Sequence, residues 1–214
     1  MTNIPNGEHN MGITDELTSR FPAFETIDQL AEGLLSVGAV NTDRLFSLCP
    51  QREGCLDALI DGERYYFYPK TADDDTSYEI AIDSDIPVLK RANEFAGSNY
   101  LSAVKVPRGA KSLSRLLFAF QAEEGITLGD LFEDLGCLLS EAYQKTGRVP
   151  EALSLDHVAY YSQEDKLILV PPLNLVVDDG ISGLQDSLRD ELDEKNHSLD
   201  TATAMRRFKG GLAA

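Results

Sequence analysis

Tryptophan is missing from this chain of 214 residues, and cysteine and positive charge are scarce. The only cysteines are Cys49, Cys55 and Cys137, an odd number with no repeated pair spacing. This argues against a disulfide-rich secreted scaffold and a cysteine zinc site, and it is typical of free thiols in a reducing compartment. Because Cys137 lies close to the apolar stripe of a predicted helix, we expect its thiol to be buried.

Basic residues are few: 19 lysines and arginines stand against 36 aspartates and glutamates, which gives a formal net charge of −17. Nucleic-acid phosphates and anionic membrane surfaces repel such a chain, so neither is an expected partner, whereas a basic protein partner is permitted. No apolar run approaches the roughly 20 residues that a bilayer span needs, and the N-terminus lacks a signal-peptide pattern. We therefore expect a cytoplasmic protein.

The first half of the chain contains helical and strand patterns separated by clear turn signals. Apolar residues at helical spacing predict a helix over 25–36 that ends at Gly38. Asp61-Gly62 predicts a β-hairpin turn. The acidic run at 73–75 predicts a solvated loop over 71–77, and Pro87 in a first turn predicts a helix over 85–95. The strand patterns lie at 44–48, 55–60, 64–68, 101–106 and 116–121.

The second half begins with a long amphipathic pattern that predicts a helix over 128–145, with Gly147 as its stop. Two short strands are predicted at 158–162 and 166–170. Further helical patterns follow at 180–195, which is acidic and amphipathic, and at 200–208.

The order of these patterns resembles the protein-kinase fold and the related small-molecule phosphotransferases. The segment LLFAFQAEEGITLGDLF (116–132) is similar to the fifth strand, the hinge and the following helix of that family. The segment GRVPEALSLDHVAYYSQEDKLILVPPL (147–173) is similar to its catalytic loop and metal-binding hairpin. The resemblance covers residues 43–175. It implies an α+β fold with a five-stranded antiparallel N-lobe sheet, one helix packed on that sheet, and a minimal helical C-lobe.

The resemblance also implies where a nucleotide would bind. Phosphoryl transfer in kinases uses a lysine on the phosphates and an acidic partner for that lysine. These two positions fall on Lys70 and Asp85. The hinge, which holds adenine through its backbone, corresponds to Gln121, Glu123 and Gly125.

The catalytic positions that the resemblance implies hold residues unsuited to the chemistry. The base falls on Ala152, which cannot accept a proton, and the two metal ligands fall on His157 and Pro171. Mg²⁺ prefers hard oxygen ligands, which neither side chain supplies. The expectation is a pseudokinase-like domain without a catalytic residue, metal or cofactor, in which ATP binding is weak or absent and the function is a protein-interaction or regulatory scaffold.

Two alternatives stay open. A divergent ATP-dependent phosphotransferase would use Lys70, Asp156 and late carboxylates such as Asp178, and an unrelated α+β interaction domain would only mimic the order of kinase elements. The predicted organisation is a disordered tail (1–12), an N-lobe-like part (13–122), a reduced C-lobe with a hairpin (123–209) and a tail (210–214). The oligomeric state does not follow from the sequence.

Overall fold

A computed structural model describes residues 13–41, 54–112, 128–150 and 157–176. The described helices are α1 (Ile13–Arg20), α2 (Ile27–Ser36), α3 (Asp74–Asp83) and α4 (Leu128–Thr146). The described strands are β1 (Val40–Asn41), β2 (Leu56–Ile60), β3 (Glu63–Pro69), β4 (Leu101–Lys105), β5 (Ala110–Ser112), β6 (Val149–Pro150), β7 (Val158–Tyr161), β8 (Lys166–Leu169) and β9 (Leu175–Val176). The prediction of an α+β fold is confirmed.

The larger sheet has four antiparallel strands in the order β1-β2-β3-β4. Asp61 and Gly62 join β2 to β3 with φ angles of 50° and 80°, so the predicted hairpin turn is confirmed. Both angles are positive, as a type I′ turn requires, and aspartate and glycine adopt them at low cost. The turn therefore sets the register in which Ile60 faces Glu63.

Helices α1 and α2 cover one face of this sheet. Side chains alternate between faces along a strand, so Tyr65 and Phe67 of β3 point toward the helices while Tyr66 and Tyr68 point away. Thr26 accepts a hydrogen bond from the Gln29 N–H and begins α2. At its other end Gly38, with a φ of 78°, stops the helix as predicted.

The predicted loop over 71–77 and the predicted helix over 85–95 are both wrong, because the helix lies earlier, as α3. Its buried residues are Asp74, Ser77 and Ala81, a stripe with no large aliphatic side chain. Its first turn carries Asp74 and Asp75, which the partial positive charge of a helix N-terminus favours. Asp85 instead lies in a turn with a φ of 57°, and residues 86–92 form a non-helical segment with single β-bridges at Val88 and Arg91. A short 3-10 turn follows at Asn93–Phe95.

The remaining strands form two smaller antiparallel sheets, with the orders β5-β7-β8 and β6-β9. The predicted hairpin of 158–162 and 166–170 is confirmed as β7 and β8, in which Val158 faces Leu169. Helix α4 packs Leu131, Leu135, Leu139 and Ala142 into one hydrophobic core with residues of β6, β7 and β8. Gly147, with a φ of 68°, ends this helix as expected.

The described residues contain no five-stranded sheet: the larger sheet has four strands there, and a single antiparallel bridge between Arg91 and Val104 extends its edge. The strands predicted at 44–48 and 116–121 lie outside the described residues, as do the helices predicted at 180–195 and 200–208 and both predicted tails. Within the described ranges no helix is long and apolar enough to cross a membrane.

Candidate functional site

The extended segment 86–92 connects the two larger sheets. On one side, Leu89 donates its N–H to the carbonyl of Leu169 in β8, and Pro87 accepts from the Leu169 N–H at 2.8 Å. On the other side, Ala92 donates to the carbonyl of Ala103 in β4 at 2.9 Å. The backbone of this segment therefore sets the position of one sheet relative to the other.

The space between the sheets is filled by aromatic side chains. Tyr66 and Tyr68 of β3 are fully buried there, and their rings stack with centroids 6.1 Å apart. They pack against residues of β4, the connecting segment and the smaller sheet: Leu89, Val104, Val106, Ala159, Ile168 and Val170. The two tyrosine rings are therefore part of a hydrophobic core between the sheets.

A buried charge network lies beside Tyr68, at the start of α3. The Asp74 side chain is 1% exposed and pairs through Oδ2 with Nη2 of Arg91 at 2.8 Å. The hydroxyl of Tyr68 donates to the same Oδ2 at 3.4 Å. Arg91 also donates to Oδ1 of Asp75, and its guanidinium carbon lies 4.4 Å from the ring centroid of Tyr78. Arg91 thus ties the connecting segment to the first turns of α3.

Burial of this network changes the pKa values of Asp74 and Tyr68. Loss of hydration raises the pKa of Asp74 above the ordinary aspartate value, while the charge of Arg91 and an interaction with the Leu173 backbone oppose the shift. Burial, followed by the charge of Asp74, raises the pKa of Tyr68 far above its ordinary value. The Tyr68 hydroxyl therefore keeps its proton and remains a donor to Asp74.

Lys70 and Asp85 do not form the ion pair that the sequence suggested. Lys70 precedes α3 and Asp85 follows it, so a helix about 15 Å long lies between them in the chain. Within the described residues no salt bridge joins the two side chains. The carboxylate whose pKa responds to Lys70 is that of Asp74, at the near end of the helix.

The other predicted site residues are divided between the described and undescribed ranges. Gln121, Glu123, Gly125 and Ala152 lie outside the described residues, as do Asp156 and Asp178. His157 directly precedes β7, and its carbonyl accepts from the Val170 N–H at 2.8 Å. Pro171 follows β8 and is joined to Pro172 by a cis peptide bond. In the ranges that the structure describes, no group of three or more His, Cys, Asp or Glu is placed to hold a metal.

Two cavities flank β8 and share Pro87 and Lys166 in their walls. The first, of about 360 Å³, opens between the two sheets at the connecting segment. The second, of about 440 Å³, lies between α4 and β8 and is lined by Leu131, Leu135 and Cys137. The expectation of a buried Cys137 thiol is wrong, because this residue is exposed at the second cavity.

Sequence reasoning missed Asp74, Arg91 and Tyr68 as members of one network. The strand pattern marked Tyr68 as a packing residue, but nothing in the order of residues joined it to an aspartate six positions later. The triple aspartate was itself a usable signal, because acidic residues are favoured in the first turn of a helix.

Comparison of the chain with protein-family models, with curated proteins and with solved structures finds no match.

Proposed function

We propose that this chain is a catalytically inactive, protein-kinase-like domain that acts by binding other proteins. The observation that supports the proposal best is the pair Tyr66 and Tyr68, which are fully buried between the two larger sheets. An enzyme that transfers a phosphoryl group from a nucleotide needs an open, pre-organised cleft. Here buried aromatic side chains occupy the part of the junction at the end of β3, where the resemblance places the phosphate-binding lysine.

The order of elements supports the kinase-like part of the proposal. Strand β3 is followed by helix α3 and then by β4, which pairs with β3. Helix α4 leads to β6, to the hairpin of β7 and β8, and to the proline pair at 171–172. The short pairing of β6 with β9 brings together the residues that flank this hairpin. This order is compatible with part of the resemblance, whose predicted strands at 44–48 and 116–121 and whose hinge lie outside the described residues.

Tyr68 supports the inactive part of the proposal. In protein kinases the strand that carries the phosphate-binding lysine reads Val-Ala-Ile-Lys, so an alanine stands two residues before the lysine. In this chain Tyr68 stands two residues before Lys70. A fully buried tyrosine takes up the volume above the cleft that an alanine leaves free.

The charge of the chain indicates the kind of partner. At a formal net charge of −17, long-range electrostatics favour encounter with a basic surface and disfavour acidic partners and nucleic acids. The expected partner is therefore a protein with a basic face, bound with an affinity that falls as salt is added.

The inactive assignment is tested by thermal unfolding of the protein with and without millimolar ATP, in the presence and in the absence of Mg²⁺. A ligand that binds only the folded state must raise the unfolding midpoint, and we expect no rise under any of these conditions. A Mg²⁺-dependent rise would overturn the assignment in favour of a phosphotransferase. Quantitative affinity capture of partners at low and high salt tests the binding role; the absence of any saturable, salt-sensitive protein partner would contradict it.

A further inference from the structure

The cavity between the two larger sheets is lined by apolar side chains and by lysines, and the proposed function assigns no role to it. Its volume of about 360 Å³ lies in the range of small-molecule sites. Its apolar part is formed by Val88 and Leu89 of the connecting segment, Val106 after β4, and Ile168 of β8. A hydrocarbon or aromatic group placed there would leave water for a largely apolar surface.

Three of the eight lysines of this acidic chain reach the same cavity. They are Lys90 of the connecting segment, Lys105 at the end of β4 and Lys166 at the start of β8. Because they come from three separate elements, only the tertiary fold brings them together. Their charges converge on one opening, where they create a local positive potential against the net charge of −17.

Two of these lysines have partners and one does not. Lys105 pairs with Glu63 at 3.4 Å, and Lys166 pairs with Glu164. Both pairs are substantially exposed, so each contributes little to stability and can rearrange around a ligand. Lys90 is exposed and forms no salt bridge with any residue in the described ranges. One cationic group at the cavity is thus available to an incoming anion.

We infer that this cavity binds a small molecule that carries one carboxylate on an apolar body. Lys90 receives the carboxylate in a charge-assisted hydrogen bond, and the apolar wall takes the body. Glu63 and Glu164 at the cavity, together with the net charge of the chain, repel polyanions such as nucleotides and acidic peptides. The unpaired charge of Lys90 repels a cationic head group. This inference does not depend on the proposed function.

The test uses three probes that share one body. The full chain is titrated with 4-phenylbutyrate, 4-phenylbutan-1-ol and 4-phenylbutylamine, and binding is followed by saturation-transfer and chemical-shift NMR. We expect the carboxylate to bind about tenfold more tightly than the alcohol, which is the size of one charge-assisted hydrogen bond, and the amine to bind least. Chemical-shift changes should centre on Val88, Lys90 and Ile168.

Variants separate the head-group contact from the apolar contact. Lys90→Gln should weaken 4-phenylbutyrate about tenfold and leave the alcohol unchanged, whereas Lys145→Gln, at an exposed lysine on α4, should change neither. Val88→Phe fills the cavity and should weaken both the acid and the alcohol. Lys90 is exposed, so its substitution leaves the fold intact, and unchanged NMR dispersion would verify this.

Several results would overturn the inference. The first two are equal affinity for the acid, the alcohol and the amine, and binding of the acid that persists in both the Lys90→Gln and the Val88→Phe variant. The other two are chemical-shift changes confined to the cavity between α4 and β8, and the absence of acid binding at millimolar concentration. None of these results bears on the ATP measurement, so this site and the proposed function can fail separately.

Discussion

Asp74 and Arg91 form an ion pair across the start of α3, with 2.8 Å between Oδ2 and Nη2. The carboxylate is 1% exposed and the guanidinium side chain 27% exposed, so the two charges share a partly dehydrated environment. Such a pair contributes modestly when intact, but removal of one member leaves a buried charge without compensation. The pair therefore makes the position of α3 depend on the connecting segment that carries Arg91.

Arg91→Met should lower the free energy of unfolding by about 3 kcal/mol near neutral pH, because Asp74 then remains buried without its guanidinium partner. Denaturant unfolding measures the change. Arg20→Met is the matched control, since Arg20 belongs to an exposed pair with Glu16 and its loss should cost under about 1 kcal/mol. Equal effects of the two substitutions would contradict the account of the buried pair.

The loss caused by Arg91→Met should shrink as the pH falls from 7.5 to 5. The pKa of Asp74 is raised in the folded protein, so the folded state binds more protons than the unfolded state between the two pKa values, and stability rises on acidification. Removal of Arg91 raises this pKa further, so the variant gains more from protonation than the wild type does. A loss that is independent of pH would show that Asp74 is not the group left unpaired.

Tyr68→Ala and Tyr68→Phe should differ strongly in stability. The alanine variant leaves a cavity between the sheets and should cost about 3–5 kcal/mol. The phenylalanine variant removes only the hydroxyl that donates to Asp74 and should cost about 1 kcal/mol. Tyr100→Ala, at a tyrosine that is 53% exposed, is the control and should stay within about 0.5 kcal/mol in thermal and denaturant unfolding.

Asp61→Asn should destabilise the N-terminal helix without breaking the hairpin turn. Oδ2 of Asp61 accepts hydrogen bonds from both the N–H and the hydroxyl of Thr14, at 3.1 and 2.5 Å, and so caps α1 from a distant part of the chain. Asparagine keeps the positive φ of the turn but removes the charge, for an expected cost of about 1 kcal/mol. In a double-mutant cycle Thr14→Val should become nearly neutral once Asp61 is replaced; additive effects would refute the cap.

Gly33→Ala should destabilise α2, although alanine favours a helix more than glycine does. A Cβ atom at position 33 would lie 2.6 Å from Cζ of Phe24, a ring that is 8% exposed, so the ring must move. We expect a net cost of about 1 kcal/mol. In a Phe24→Leu background the same substitution should be neutral or stabilising by up to about 1 kcal/mol. Calorimetric unfolding midpoints of the wild type, the two single variants and the double variant measure these effects. Destabilisation of equal size in both backgrounds would contradict the steric explanation.

Elements with a strong local signal were predicted correctly from the sequence. The helix over 25–36, the turn at Asp61-Gly62, the helix over 128–145 and the hairpin of 158–170 are each found within a few residues of the predicted bounds. Each has a hydrophobic period or a special turn residue that depends only on its neighbours in the chain. Helix α1 was not predicted, because its eight residues bury only Leu17 and provide too little periodicity.

The error over 71–95 shows what local patterns cannot decide. Residues 74–77 are polar, and they become helical because Asp74 pairs with Arg91, seventeen residues later, and accepts a hydrogen bond from Tyr68, six residues earlier. Pro87 looked like a first-turn residue, yet its carbonyl is used by Leu169 of β8. Both decisions rest on partners that are distant along the chain.

The amino-acid order by itself determined the α+β class, the acidic surface and the main helix and hairpin boundaries, since charge, periodicity and turn chemistry are properties of short segments. Only the tertiary structure decided that both faces of β3 are buried, that two tyrosines are buried between the sheets, and that three lysines line one cavity. These features depend on contacts between strands and connecting segments that are distant in the chain. Side-chain packing and the pairing of buried charges determine those contacts.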